Sequence, residues 1–504
     1  MFYDFIARTI ARSLALVAPG YAREYLKNHA ICRAYEASKN TGGPNRNFRP
    51  AQASGAEEIT QSWQAVTNKT RALVRDNSHV AGMTRRFVAA LVGEGSWPRP
   101  KVLKNGAADR FDFDAKINED ILRRWELWAP EACANGDSIY QLQRVAASAF
   151  FIDGGLLIRR VIDGRRLMLE PIELDRLDTL KDTDDGKLRI VGGKELDKYN
   201  RPVAYWIKGR FPTERDTLSV RVPAEEIIDL YDRDRASSVG GVSRLAPSVL
   251  NFHNIGKYRA DTMSLARTAL GFGIFVETDY PEDFFGATGV EKDDTGREYE
   301  YVTPGGVHYL RAGEKISAVK PENPGTQYEP FLRAELRGAS VGAGMSYESV
   351  SNDGSQTNFS GTRQMLLFER ALTRYTFAIF EEKFYSRVYR WFIEFNTDFA
   401  GLNLPGYKNN PSRYLHCSWS RPKTEWVDPL KDAKAAKEEI AMGVNTLTEF
   451  CETAGRDIEE VVATRKYEKK LFEAAGVASD LMASVEKPLT FEEMAEEGLD
   501  KWLK

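Results

Sequence analysis

Residues 338–370 read GASVGAGMSYESVSNDGSQTNFSGTRQMLLFER, and their pattern decides the fold. Small residues (Gly338, Ala339, Gly342, Ala343, Gly344) close one predicted helix, a polar loop follows over 346–357, and a second helix is predicted from Ser360. Ser351, Asn352, Asp353, Ser355, Gln356, Thr357 and Asn358 make up the tip, and the loop contains no Lys or Arg. The apolar recurrence of the second helix persists to Asn396, far beyond the usual three turns or so. A long strut tipped by a loop without cations suits a device that lets a polyanion slide past. Each phosphate held by Lys or Arg gains counterion-release free energy that movement must then undo. The same stretch suits a catalytic pocket poorly.

Phe5, Ile6, Ile10, Leu14 and Val17 predict a short amphipathic helix, and residues 38–58, rich in Gly, Asn, Ser and Pro, an extended linker. Ile59, Trp63, Val66, Leu73, Met83, Phe87 and Leu91 predict helix over 59–92, interrupted at Asp76-Asn77-Ser78, which offers a cap. Two more helices follow, marked by Ile117, Ile121, Trp125 and Trp128, then by Leu142, Val145 and Phe150. Past Asp153-Gly154-Gly155 the period changes to two in runs such as LLIRRVI and PVAYWIKG. Gly-bearing turns separate the runs, which predicts an antiparallel sheet. A long helix is predicted from Gly241, a short-strand insert over 271–327, helix again over 331–341, a broken stretch over 398–424, and helices to an acidic tail. The fold class is α+β, mainly helical.

A chain of 504 residues accommodates two to four domains, and 42% apolar with 28% charged residues is ordinary globular composition. The net charge of −3 gives no global basic footprint, so any contact with DNA is local or transient. Cys32, Cys133, Cys417 and Cys451 are scattered without metal-ligand spacing and read as reduced thiols. No apolar run approaches the roughly 18 residues of a membrane span, so the chain reads as soluble, with no membrane partner. DTDDG (182–186) lacks the Glu that a calcium loop needs twelve positions in and reads as a hairpin turn. GSWPRP (95–100) and GGVSR (240–244) lack phosphate-cradle spacing. His29, His79, His253, His308 and His416 are isolated, and no nucleophile, base and orienting group can be named together, so no enzyme, metal site or cofactor is expected. Phe380, Phe384, Val388, Trp391 and Phe395 fall on one helix face at core spacing rather than forming a base-stacking platform. The pairs Arg85-Arg86, Arg123-Arg124 and Arg159-Arg160 read as solvated faces or intersubunit ion pairs.

Five segments, taken in order, resemble the portal proteins of lambda-type tailed bacteriophages. They are RALVRDNSHVAGMTRRFVAALVGEG (71–95), GVSRLAP (241–247), LRAGEKISAVKPENP (310–324), LRGASVGAGMSYESVSNDGSQTNFSGTR (336–363) and WVDPLKDAKAA (426–436), with a later Gly-x-Asp at Gly455. Each is weak alone; in order across 59–465 they are specific. Two departures stand out: the family's Arg-Pro-Gly-Gln before the second motif is replaced by residues 235–241, and Asn-Phe-Ser stands where Asn-Tyr-Ser is usual.

The resemblance implies a homo-oligomeric ring, typically of twelve subunits, at one capsid vertex of the virion. Double-stranded DNA is packaged through it by the terminase large subunit and later ejected. Capsid or scaffold protein and a head-completion or tail-adaptor protein are the further implied partners. It also implies a map: an N-terminal arm (1–58), a wing (59–240), a first stem helix (241–270), a clip (271–327), a second stem helix (328–345), a tunnel loop (346–358), a long wing helix with its return (359–425), and a C-terminal helical crown (426–504). Ser351, Asn352, Asp353, Ser355, Gln356, Thr357 and Asn358 would line the channel; Gly338, Ala339, Gly342, Ala343 and Gly344 would pack the stem against a neighbouring subunit. Twelve helices at about 10 Å spacing enclose a circle whose bore, after subtracting helix radii, is about 27 Å, which passes a duplex. The alternatives are a nuclease-like DNA-processing enzyme and a structural adaptor of the virion that forms no ring.

Overall fold

The computed structural model describes residues 53–105, 112–184, 189–209, 218–271, 275–278, 291–292, 298–299, 314–317, 327–355, 357–423 and 428–475. The expected N-terminal helix, His29, Cys32, His308, Gln356, most of the 271–327 insert and the acidic tail lie outside them. The chain divides into two units, 1–58 and 59–504. In the first, Ser54 and Glu57 satisfy each other's backbone N–H groups, which caps helix α1 (Gly55–Asp76).

Asn77 breaks the helical run as expected. Its side chain accepts from His79 N and Val80 N and so starts α2 (Ser78–Val92). A short strand β1 (Pro98–Pro100) leads to α3 (Ala115–Trp128), capped by Asp114, and α4 (Ile139–Ile152), capped by Ser138. Then come β2 (Gly155–Asp163) and β3 (Arg166–Ile172), and a meander of β4 (Thr183–Asp184), β5 (Arg189–Val191), β6 (Lys194–Leu196), β7 (Pro202–Ile207) and β8 (Val220–Pro223). β9 (Ile227–Tyr231) returns to pair antiparallel with β2, giving a three-stranded sheet β3-β2-β9 beside the five-stranded meander. The strand pairings within these two sheets are antiparallel, and short connections join β2 to β3, β5 to β6 and β6 to β7.

Helix α5 begins at Val249 and ends at Gly271, eight residues later than the sequence pattern predicts. Val242 and Leu245 continue the apolar spacing, but Pro247 sits in a single 3-10 turn, and Ser243 Oγ binds both Phe151 O and Leu245 N. Gly154 and Gly241 meet there backbone to backbone, a contact that admits no Cβ on either side. The described parts of the insert are β10 (Phe275–Thr278), β11 (Glu291–Lys292), β12 (Glu298–Tyr299) and β13 (Glu314–Ser317), paired β10 with β13 and β11 with β12.

Helix α6 (Tyr328–Gly342) returns alongside α5, joined to it by Tyr258 against Tyr328 and Phe331. After a short helix α7 (Tyr347–Ser351), the long helix runs as α8 (Phe359–Phe380), a π-type turn at Glu381–Tyr385 and α9 (Ser386–Phe399). Phe380, Phe384, Val388, Trp391 and Phe395 are all buried, as their spacing predicts. Trp125 is the hub of this core, with ring centroids 4.9 Å from Trp128 and Phe392 and 5.8 Å from Trp419. Trp419 belongs to β14 (Cys417–Trp419), which pairs with β1 across more than three hundred residues. The last described elements are α10 (Pro429–Ala441), α11 (Leu447–Thr453), opened by a Thr446/Glu449 capping box, and α12 (Ile458–Ala475).

A second, smaller core lies under the meander, where Trp63, Leu157, Leu177, Tyr205 and Val222 meet. It is tied to the first by Arg71, which forms a two-pronged pair with Asp153 at 2.8 Å and reaches Asp175. Those carboxylates push the Arg71 guanidinium above its ordinary range, so it stays charged despite partial burial. Two of the arginine pairs also have partners within the chain: Arg123 and Arg124 bind Asp120 on their own helix, and Arg160 binds Glu394. Arg123 stays exposed, as a solvated face requires, while Arg124 and Arg160 are partly buried against their carboxylates.

Candidate functional site

The segment between α6 and α8 is more structured than its composition suggests. Ser346 Oγ accepts from Ser349 N at 3.1 Å and so nucleates α7, while the N–H and hydroxyl of Ser346 both donate to Glu369 Oε1 on α8. The expected open loop over 346–357 therefore contains a helical turn fixed to the long helix. Asn352 ends that turn in the left-handed region, at φ 58°, with its N–H donating to Glu348 O. Asn is among the few residues other than Gly that tolerate this conformation.

Asp353 organises the next residues. Tyr347 OH donates to one carboxylate oxygen at 3.1 Å and Ser355 N to the other at 3.0 Å, while Ser351 Oγ accepts from Asp353 N. The hydrogen bonds from Ser355, then that from Tyr347, hold the Asp353 carboxyl below its usual range. Thr357 Oγ1 donates to Gly354 O, and Asn358 caps α8 by accepting from Gly361 N at 2.7 Å. Ser355, Asn352 and Asn358 are exposed, and Ser351, Asp353 and Thr357 half-buried, so the structure brings these residues together at one polar junction.

A cation comes with them that no sequence pattern announces. Arg86, on α2, donates from Nη2 to Asn352 Oδ1 at 2.6 Å. The segment 346–357 has no Lys or Arg of its own, yet a guanidinium from 266 positions earlier stands against it. No local signal could have revealed this, because packing of α2 against α7 creates it.

The small residues of α6 turn out to serve this chain. Ala339 and Ala343 are buried in its core, and Ser248 Oγ donates to Ala339 O at 2.7 Å. A Cβ on Gly342 would overlap Ser248 Oγ, and Gly344 sits at φ 74° with its missing Cβ 2.9 Å from Leu372. Of the five residues expected to pack a neighbouring subunit, Gly338 and Gly344 are exposed, and nothing lies within 4 Å of where a side chain on Gly338 would begin. The smallness of Ala339, Gly342, Ala343 and Gly344 lets α6 approach the start of α5 and the flank of α8 in the same chain. Gly342→Leu is accordingly expected to lower the unfolding free energy of the subunit itself by about 1–3 kcal/mol through overpacking. Chemical denaturation checks this, and an unchanged midpoint accompanied by loss of assembly would restore the intersubunit reading.

Among the described residues no group of three His, Cys, Asp or Glu could hold a metal ion, and no helix is long and apolar enough to cross a membrane. Burial pushes the Cys133 thiol up to about 12, which makes it a core side chain rather than a nucleophile.

The family model described as phage portal protein, lambda family, matches residues 41–376. The chain is 24% identical over 477 residues to the probable portal protein of Halomonas phage phiHAP-1, which spans 90% of this chain and 89% of that one. It is 23% identical over 181 residues to portal protein B of Escherichia phage lambda, 34% of this chain and 33% of the relative. Among solved structures it is similar to a chain in the neck of a native gene transfer agent particle computed with C12 symmetry. That likeness has a TM-score of 0.43 at 11% identity and covers 75% of this chain and 91% of the other.

Proposed function

This chain belongs to the lambda family of phage portal proteins, and we propose that it forms a closed ring, of about twelve copies by the helix spacing that admits a duplex, at one vertex of the virion. In this reading double-stranded DNA enters through the ring, driven by the terminase large subunit, and leaves through it later. Capsid or scaffold protein holds its rim, and a head-completion or tail-adaptor protein docks below. The chain does no catalysis of its own. Residues 59–240 form the wing, α5 and α6 the stem, residues 271–327 the clip, 346–358 the tunnel loop, 359–425 the long wing helix and return, and 426–504 the crown.

The observation that carries the ring is the apolar surface left on the long elements. Leu250, Met263 and Leu265 on α5, Val341 on α6, and Met365, Leu367, Phe368 and Tyr375 on α8 are all exposed in the single chain. Uncovered apolar side chains along three long helices are more than a lone subunit ordinarily presents to water, and neighbouring copies would cover them. The polar junction at 346–358 then supplies a wall whose own side chains hold no phosphate.

Mass determination of the purified protein tests the reading. A species many times the mass of one chain is expected, and a monomer at micromolar concentration with capsid components present would count against it. An assay for DNA cleavage with magnesium is expected to stay blank.

A further inference from the structure

Arg86, with Arg85 before it in α2, reaches the polar junction. Arg71, Arg123, Arg124, Arg160, Arg176, Arg221 and Arg244 each pair with a carboxylate. Among the described residues, neither Arg85 nor Arg86 does. Both are exposed on the outer face of α2, together with Ala89 and Ala90, and nothing lies within 4 Å of where a side chain on Gly82 would begin. That face combines small residues with two guanidinium groups, so a rod can lie close along it.

The partner Arg86 has is a neutral one. Asn352 Oδ1 accepts a single N–H, which leaves the guanidinium its full charge and most of its five donors. The left-handed turn at Asn352, closed by its N–H to Glu348 O, holds that residue at the end of α7 beside Arg86. A phosphate offers charge and two oxygens, so it outcompetes an amide oxygen for the same group. A phosphate that takes this same N–H has to displace the Asn352 oxygen, which makes the grip there weaker than one from an arginine without such a partner.

We propose that Arg86 is a phosphate-binding residue at the tunnel loop and that Asn352 moderates its hold on passing duplex DNA. The inference rests on the reading of residues 346–358 as channel lining. It reconciles a wall without strong traps with the presence of Arg86 beside it: an ion pair with phosphate through the shared N–H forms by exchange with Asn352 and is released by the reverse exchange.

The test uses the assembled full-length protein and short duplex DNA, with binding followed by fluorescence anisotropy across a series of salt concentrations. Arg86→Gln is expected to weaken binding and to flatten the dependence of log affinity on log salt by roughly 0.9 for each phosphate that is no longer neutralised. Asn352→Gly keeps the left-handed turn and frees Arg86, so it is expected to tighten binding by roughly two- to tenfold. The two variants thus move affinity in opposite directions, which a general loss of structure would not do. Ser355→Lys with Gln356→Lys serves as the control for the channel reading. If that double variant alters the salt dependence while Arg86→Gln matches wild type, the role of Arg86 is refuted and the channel reading stands. If none of the variants moves affinity or slope, both fall. Dissociation of the assembly by Arg86→Gln at fixed salt would mark an intersubunit ion pair and overturn the proposal.

Discussion

Ser355→Lys with Gln356→Lys is expected to leave assembly intact and to slow DNA packaging by roughly tenfold at low salt, with recovery toward wild type as salt rises. Ser355 is exposed, and its backbone N–H bond to Asp353 survives the change while its side-chain bond to the same carboxylate is lost. Gln356 lies outside the described residues and is chosen because the sequence places it in the same neutral run. Asn352 is the wrong position for this experiment, since its side chain already engages Arg86. Two added cations per subunit, repeated around a ring, would meet the duplex at one level. Every step of DNA past them then requires counterions to recondense on the released phosphates, which is why added salt relieves the effect. Packaging rate and packaged length are the quantities to measure. Equal values for mutant and wild type at both salt extremes would take this loop off the DNA path and require the stem and loop assignments over 328–358 to be redrawn.

Trp125→Ala is expected to cost about 3–5 kcal/mol of subunit stability, the range for emptying a fully buried aromatic site. Trp125 is fully buried and touches Trp128, Phe392 and Trp419, so it joins α3, α9 and β14 at one point. Removing it opens a cavity whose walls belong to three elements distant in sequence, which cannot collapse together. The indole N–H has no hydrogen-bond partner among the described residues, so Trp125→Phe loses packing without orphaning an acceptor and should cost clearly less than the Ala variant. Urea denaturation of the three proteins, followed by circular dichroism, gives the comparison. An Ala variant that unfolds at the wild-type midpoint would show that this hub does not organise the core.

Local periodicity makes the regular elements legible. Trp63, Met83 and Phe87 mark the first two helices, Asn77 marks their break, and the two-residue alternation after Gly155 marks the hairpins. Three features escape because their causes are not local. The delayed start of α5 follows from Ser243 binding Phe151 O, ninety-two residues earlier. The direction of Gly342 depends on where Ser248 lies, and the same small-residue stripe would read identically if it faced a neighbour. The pairing of Arg86 with Asn352 needs the tertiary fold before it exists at all. The short helix α7 is different: Ser346 with Glu348 in the first turn is a start signal in plain view, masked because the helix it opens is only five residues long.

The π-type turn at Glu381–Tyr385 gives the long helix a step in phase. Ser386 offers both its N–H and its hydroxyl to Glu381 O, five residues back, and this accommodates the wider turn. Phe384 and Tyr385, adjacent in sequence, can therefore both point inward, Tyr385 stacking on Trp419. Before the step the shaft shows Met365, Leu367 and Phe368 to the outside; after it, Val388, Trp391 and Phe392 face the interior. One residue added or removed in that turn would change the helix less in length than in angle, by about 100°. The two halves would then rotate against each other like misaligned gears, and β14 and everything beyond it would swing away from β1. A chimera spliced within this shaft has to match its partner in phase before it matches in length.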